Sequence, residues 1–208
     1  MVQNRKKLRI LEISLMAGLL IALLWGMWSL HAQRALADRV VRLHILANSD
    51  SEADQALKLK VRDAILSRAE KILKGSDDRE AAERALRAEL PALEAIAAEE
   101  IWAEGYDYPV RAELTETEFP TREYDNFTLP AGKYLAVRIV IGDGAGHNWW
   151  CVVFPPLCAE TTANFSQTAM AAGLSESDVK LVTEENGGYV LKFKSIELWE
   201  KVRQMLAD

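Results

Sequence analysis

Side chains able to do chemistry are few in this chain of 208 residues. There are three histidines, His31, His44 and His147, and two cysteines, Cys151 and Cys158. His44, Ser49 and Asp50 lie close in sequence, and Cys151 follows His147 by four positions. None sits in a nucleophile elbow or another local catalytic signature. A Ser beside an Asp ahead of a helix reads as a helix cap. The carboxylate pairs Asp77-Asp78, Glu99-Glu100 and Glu184-Glu185 fall at helix ends or turns, where solvation or a helix dipole accounts for them. Gly142, Gly144 and Gly146 follow a strand, as a phosphate loop would. A phosphate loop needs a Lys and a Ser or Thr entering a helix, whereas Asn148-Trp149-Trp150-Cys151-Val152 is strand-like, so a hairpin turn is expected. A zinc site of His147 with the cysteines lacks a fourth ligand. No catalytic residue, metal, cofactor or small-molecule substrate is therefore expected.

Cys151 and Cys158 enclose Val-Val-Phe-Pro-Pro-Leu, a stretch able to turn back on itself. In an oxidising compartment they read as a disulfide, which would contribute about 2–3 kcal/mol by the chain-entropy estimate. Two buried free thiols are the alternative. Trp149 and Trp150 are adjacent, so in a strand they point to opposite faces. One can fill the core while the other stands exposed as an interface anchor, or both can be covered.

The elements that position these residues begin with an export segment. Arg5, Lys6, Lys7 and Arg9 precede Ile13 to Leu30, which carries no charge and as a helix is roughly 27 Å long, near the ~30 Å hydrocarbon core. The basic cluster stays on the cytoplasmic side and the rest crosses, with Trp25 and Trp28 near the far interface. Ala35-Leu36-Ala37 matches a signal-peptidase pattern with cleavage before Asp38. The length of the apolar run equally suits a retained anchor. Residues 1–37 are thus an export signal or anchor, and 38–208 one extracytoplasmic domain. That domain has 20 basic and 30 acidic residues, which disfavours nucleic acid or an anionic membrane surface as partner.

Val40 to Ala47 reads as a strand, with Val41, Leu43 and Ile45 opposite Arg42 and His44. Ser49 with Glu52, or Ser51 with Asp54, forms a capping box for a helix bearing Leu57, Val61, Ile65 and Ile72. A second helix is capped by Asp77. Pro91 is expected to break or kink it and start a third, ending at Gly105. Tyr108 to Thr115 alternates as a strand with one wet face, and Glu116 to Lys133 reads as a long connection or irregular edge. Tyr134 to Ile141 is a central strand, and Asn148 to Phe154 returns beside it. Phe165 to Ala172 reads as a short helix, and Val179–Thr183 with Tyr189–Phe193 as a hairpin. A final amphipathic helix follows Ser195. The fold class is α+β, a single domain with helices on one side of a largely antiparallel sheet.

Two blocks are distinctive in composition. One is Arg42-Leu-His-Ile-Leu-Ala-Asn-Ser-Asp-Ser51 followed by Asp54 to Ala64. The other runs from Tyr108-Pro-Val-Arg-Ala through Phe119-Pro-Thr-Arg122 and Leu129-Pro-Ala-Gly-Lys-Tyr134 to Asn148-Trp-Trp-Cys-Val-Val-Phe-Pro-Pro-Leu-Cys158. Together they resemble the stage II sporulation protein R family of endospore-forming bacteria, over most of residues 38–160. The resemblance implies a non-enzymatic signal, made in the forespore and exported into the space between its two membranes. Its implied partner is a membrane-embedded aspartic protease of the mother-cell membrane, which removes the pro-sequence of sigma-E. An activator must bind the active form of its target more tightly than the inactive one. His44, Asn48 and Asp50 at the strand–helix turn, with Trp149 or Trp150, are the candidate contacts. An exported cell-wall hydrolase is the alternative, and would need His44 or His147 set against carboxylates or a metal in a pocket.

Overall fold

The computed structural model describes residues 2–124 and 127–157, with positions 169, 170, 174, 176, 179 and 182. Within the first helix the described side chains are those of residues 10–27, 31 and 33–37. The chain divides into two compact units, Met1–Ala35 and Leu36–Asp208. Helix α1 (Val2–Ala37) makes up the first and ends in the second. Its stretch Ile10–Met27 is long and apolar enough to cross a membrane.

The second unit is built on four strands in the order β2-β5-β1-β6. They are β1 (Val41–Leu46), β2 (Val110–Phe119), β5 (Gly132–Ile141) and β6 (Asn148–Phe154). β1 runs parallel to β5 and antiparallel to β6, and β2 is antiparallel to β5, so two of the three pairings are antiparallel. The short strands β3 (Arg122–Tyr124) and β4 (Phe127–Leu129) form a separate hairpin. Two helices, α2 (Glu52–Leu73) and α3 (Arg79–Ala103), lie between β1 and β2 in sequence.

Alternation divides the sheet into two faces. Val41, Leu43 and Ile45 of β1, Leu135, Val137, Ile139 and Ile141 of β5, and Cys151 and Val153 of β6 face α2 and α3. The helices answer with Leu57, Val61, Ile65, Leu86, Leu93 and Ile101 at helical spacing. On the back face, Tyr134, Ala136 and Val152 are covered by Leu36, Val40, Phe119, Phe127, Leu129 and Leu157, and by Leu174, Val179 and Val182. Leu36, the next-to-last residue of α1, is fully buried there. β1 is therefore buried on both faces, and Arg42 and His44, one a full charge, lie inside.

The α+β architecture is as the sequence indicates, and several local expectations are corrected. Residues 79–103 form one helix with Pro91 inside it. Pro91 and Arg87, whose carbonyl loses its donor, are both exposed, so water can satisfy that carbonyl. Leu86, Leu93, Ala97 and Ile101 meanwhile stay in phase on one buried stripe. The N-cap is Asp78, whose carboxylate accepts from Ala81 N–H (2.7 Å), and not Asp77. The expected connection over 116–133 is instead the end of β2, the β3–β4 hairpin and the start of β5. Thr117, Glu118 and Phe119 pair with Tyr134, Lys133 and Gly132. On the outer edge of β2, the Glu94 carboxylate accepts from Ala112 N–H (2.8 Å), satisfying an edge donor. Ala169 and Met170 are helical. Val179 and Val182 are also helical, not extended, and both are buried three positions apart, as one helical face requires. The remaining strand of that hairpin and the last helix lie outside the described residues.

Candidate functional site

Two neighbourhoods gather the polar groups of the domain. The first is the end of the sheet where the β1–α2 turn meets the β5–β6 turn. Ser51 caps α2 by accepting from Asp54 N–H (3.1 Å). The Asp54 carboxylate turns back to accept from Ser49 Oγ (2.5 Å) and Asn48 Nδ2 (2.9 Å). These donors hold its pKa below the usual 3.8. Asn48 Oδ1 accepts from Asp143 N–H (3.1 Å), and the carbonyls of Asn48 and Ala47 take Ala145 and Gly146 N–H. The two turns are thus stitched together across some ninety-five residues of chain.

That stitching explains the glycines. Gly142 has φ +57°, and a Cβ there would run into the Asn48 amide. A Cβ on Gly146 would run into the Ser49 carbonyl. The loop is glycine-rich because another loop lies against it. Beside it, Asp50 accepts from the backbone N–H of His147 (2.6 Å) and also meets its Nδ1. The largely buried Lys58 donates to the His147 carbonyl (2.9 Å) and to Gln55 Oε1 (2.5 Å). Burial pulls the Lys58 pKa below 10.5, and nearby Asp50 opposes that.

The second neighbourhood is the back face. The fully buried Arg42 guanidinium lies 3.9 Å from the Phe119 ring centroid and 5.0 Å from that of Tyr134. Its Nη2 donates to Tyr124 OH (2.7 Å), which in turn points to the Trp150 carbonyl (3.4 Å). Arg42 Nε and Nη1 have no hydrogen-bond partner among the described residues. Burial lowers the Arg42 pKa and raises that of Tyr134, whose hydroxyl donates to Pro130 O (2.7 Å). Next along β1, His44 Nε2 donates to Asn148 Oδ1 (2.8 Å), which leaves Nδ1 bare and without a partner among the described residues. Its ring packs on Phe119 and Trp150, and burial lowers its pKa from 6.5.

The candidate contacts are therefore not one cluster. Asn48 and Asp50 share the stitched end, with Asp50 exposed. His44 is inside the back face beside Trp150 and takes no part in the turn. Trp149 packs against the helix-face core. Both Trp residues are half-buried, Trp149 under Arg62 (4.5 Å) and Trp150 under Arg122 (3.9 Å). Cys151 is buried on β6 facing the helices, and Cys158 lies outside the described residues. The Arg42 cage and the Asp50–His147 pair escape sequence reasoning. Arg42 alternates with Val41 and Leu43 and so reads as the wet side of a strand. Asp50 and His147 are ninety-seven positions apart.

The residues that build both neighbourhoods coincide with a family pattern. The model of stage II sporulation protein R (spore_II_R) matches residues 37–164. The chain belongs to that family. The stage II sporulation protein R of Bacillus subtilis (strain 168) is similar to it, with 44% identity over 123 residues. That alignment covers 59% of this chain and 55% of the relative, so about half the relative's length is spanned. No solved structure matches. Family membership places the chain among sporulation proteins, and the matched range takes in the whole sheet together with Leu36's neighbour Ala37.

Proposed function

We propose that the chain is an exported sporulation signal. On this reading it crosses the forespore membrane and activates a membrane-embedded aspartic protease of the mother-cell membrane, which then processes pro-sigma-E. The observation that carries the reading is the joining of a sporulation-family domain to an apolar helix long enough to cross a bilayer. The protease is the partner, and no nucleic acid or small-molecule substrate is needed. A disulfide between Cys151 and Cys158 forms after export and fixes the middle of β6 to the segment that follows. As an activator the domain favours the active form of the protease, and rigid presentation of the stitched end lowers the entropy lost on binding.

The test is a reconstitution in a non-sporulating bacterium that expresses the cognate protease and the pro-sigma factor. Cleavage of the pro-sequence is followed by immunoblot with and without this chain. Processing that depends on the chain and disappears when residues 1–37 are deleted is the expected result. Equal processing in its absence would overturn the reading.

The Asp50–His147 pair gives the second reading, an exported cell-wall hydrolase, a specific footing. An Asp bound at Nδ1 orients an imidazole for proton transfer through Nε2. Among the described residues no serine or cysteine side chain is bonded to that ring. A depression lined by Arg68, Ile72, Ala85 and Glu89 belongs to the α2–α3 surface and includes neither residue. Release of soluble muropeptides by the purified chain, lost in His147→Gln, would favour this reading over signalling.

A further inference from the structure

We propose that the end of α3 is a docking surface for a protein partner, with Trp102 as its anchor and an arginine-bearing segment of the partner as its occupant. The proposal deepens the exported-signal reading and rests on it for the partner's place, an outward-facing segment of the protease. What carries it is a difference among the tryptophans of the domain. Trp149 lies under Arg62 (4.5 Å) and Trp150 under Arg122 (3.9 Å), so each ring is capped by a guanidinium of this chain. Trp102 is 78% exposed, and among the described residues no arginine or lysine lies over its ring. A tryptophan is highly buried on average, so one left this open in a folded domain marks a contact surface.

The charges around Trp102 identify the occupant. Glu99, Glu100 and Glu104 gather at the end of α3, whose last turn holds no basic residue. Glu99 precedes Trp102 by three positions and shares its side of the helix. A helix C-terminus is the negative end of the macrodipole, where cations stabilise and carboxylates do not. α2 follows that preference with Lys71 in its last turn, and α3 breaks it. Lys60 of α2 reaches Glu104 (2.5 Å) and offsets one of the three charges. What remains is a negative field beside an open π face. A guanidinium satisfies both, stacking on the ring and pairing with a carboxylate. The surface is also held in place. Gly105 N–H donates to the Trp102 carbonyl (2.9 Å) and Tyr106 N–H to that of Ile101 (3.1 Å), closing the helix end. The Pro109 carbonyl takes Gly142 N–H (2.8 Å) from the β5–β6 turn. Trp102 thus belongs to the same end of the sheet as Asn48 and Asp50.

The experiment titrates the purified full chain, in mild detergent, with a tri-arginine peptide and follows the indole N–H resonances of its tryptophans. The Trp102 resonance, identified by its loss in Trp102→Phe, should move while those of Trp149 and Trp150 stay. Replacing Glu99→Gln and Glu100→Gln together should weaken the peptide about threefold or more. No movement with tri-arginine, or equal movement with tri-glutamate, would overturn the proposal. In the processing assay, Trp102→Ala should lower pro-sequence cleavage about tenfold or more, as loss of an interface anchor does. Its trypsin resistance should match the parent's, since the side chain lies outside the core. Glu99→Lys keeps the ring, reverses the charge and should lower cleavage likewise. Cleavage at the parental level in both variants would overturn the assignment of this surface to the protease. The titration does not depend on processing. A parent chain that binds the peptide at Trp102 and triggers no cleavage would therefore sink the signal reading and leave the docking surface standing.

Discussion

The two faces of the sheet solve the burial problem with different chemistry. On the helix face, Leu, Val, Ile and Ala side chains from α2 and α3 interlock with those of β1, β5 and β6. Each piece there contributes by area removed from water, and each is replaceable by another of its volume. The back face packs Phe119, Tyr124, Tyr134 and Trp150 around Arg42 and His44, two residues of the same central strand. A buried charge is expensive, and among the described residues π faces and one phenol oxygen stand in for water around Arg42. The first face is packed chiefly from aliphatic side chains, and the second from rings around a charge. The lesson is that a strand carrying Arg and His can lie at the centre of a sheet when its neighbours are aromatic.

Truncation of Arg42 should have the largest effect. Arg42→Ala is expected to lower stability by about 3–5 kcal/mol, because it empties the cage between the Phe119 and Tyr134 rings. Arg42→Met fills the space without the charge and should stay within about 1 kcal/mol of the parent. Urea denaturation of the full chain in mild detergent reads both. If the Met variant falls as far as the Ala variant, the charge itself holds the back face together. Next comes the helix face, where Leu86→Ala should cost about 2–4 kcal/mol, and here a Met replacement should again recover most of it. Recovery on one face alone would separate the two kinds of packing. Ser51→Ala removes the acceptor of Asp54 N–H and should cost about 1 kcal/mol, read from the same denaturation curves.

The smallest effect is a dependence on pH. His44 is held neutral, its pKa lowered by burial. Below about pH 6.5 the unfolded chain takes up a proton at this imidazole that the native one refuses. Its contribution is therefore present in full above that value and lost as pH falls toward the native pKa. Stability profiles from pH 5 to 8 should be flatter for His44→Gln than for the parent. Identical slopes would show that the back face tolerates an imidazolium.

Much of the architecture was legible in the sequence, and the failures share a cause. β1, α2, β5 and β6 are readable because their apolar residues keep one period and their ends carry Ser51, Gly75 and Gly142. Pro91 reads as a break in α3 because the local rule for proline does not include the in-phase stripe on both sides of it. Residues 116–133 looked irregular because Pro120, Pro130 and Gly132 are strong turn signals. The β2–β5 pairing that overrides them is a tertiary fact. Of the candidate site, the cap at Ser51 and the opposed Trp149 and Trp150 were visible. The Arg42 cage was not, since its walls come from β2, β3 and β5, and no window of sequence contains them together.

On the exported-signal reading, the pairing of β1 bears on how the chain would cross a membrane. β1 ends at Leu46, yet both of its partners lie beyond residue 131. Until about two thirds of the polypeptide has been threaded through, the central strand has nothing to pair with and the sheet has no middle. Contacts of such long range close slowly. The same wiring that makes β1 the most enclosed strand of the finished domain thus keeps the nascent one extended, the form in which a translocation channel accepts it.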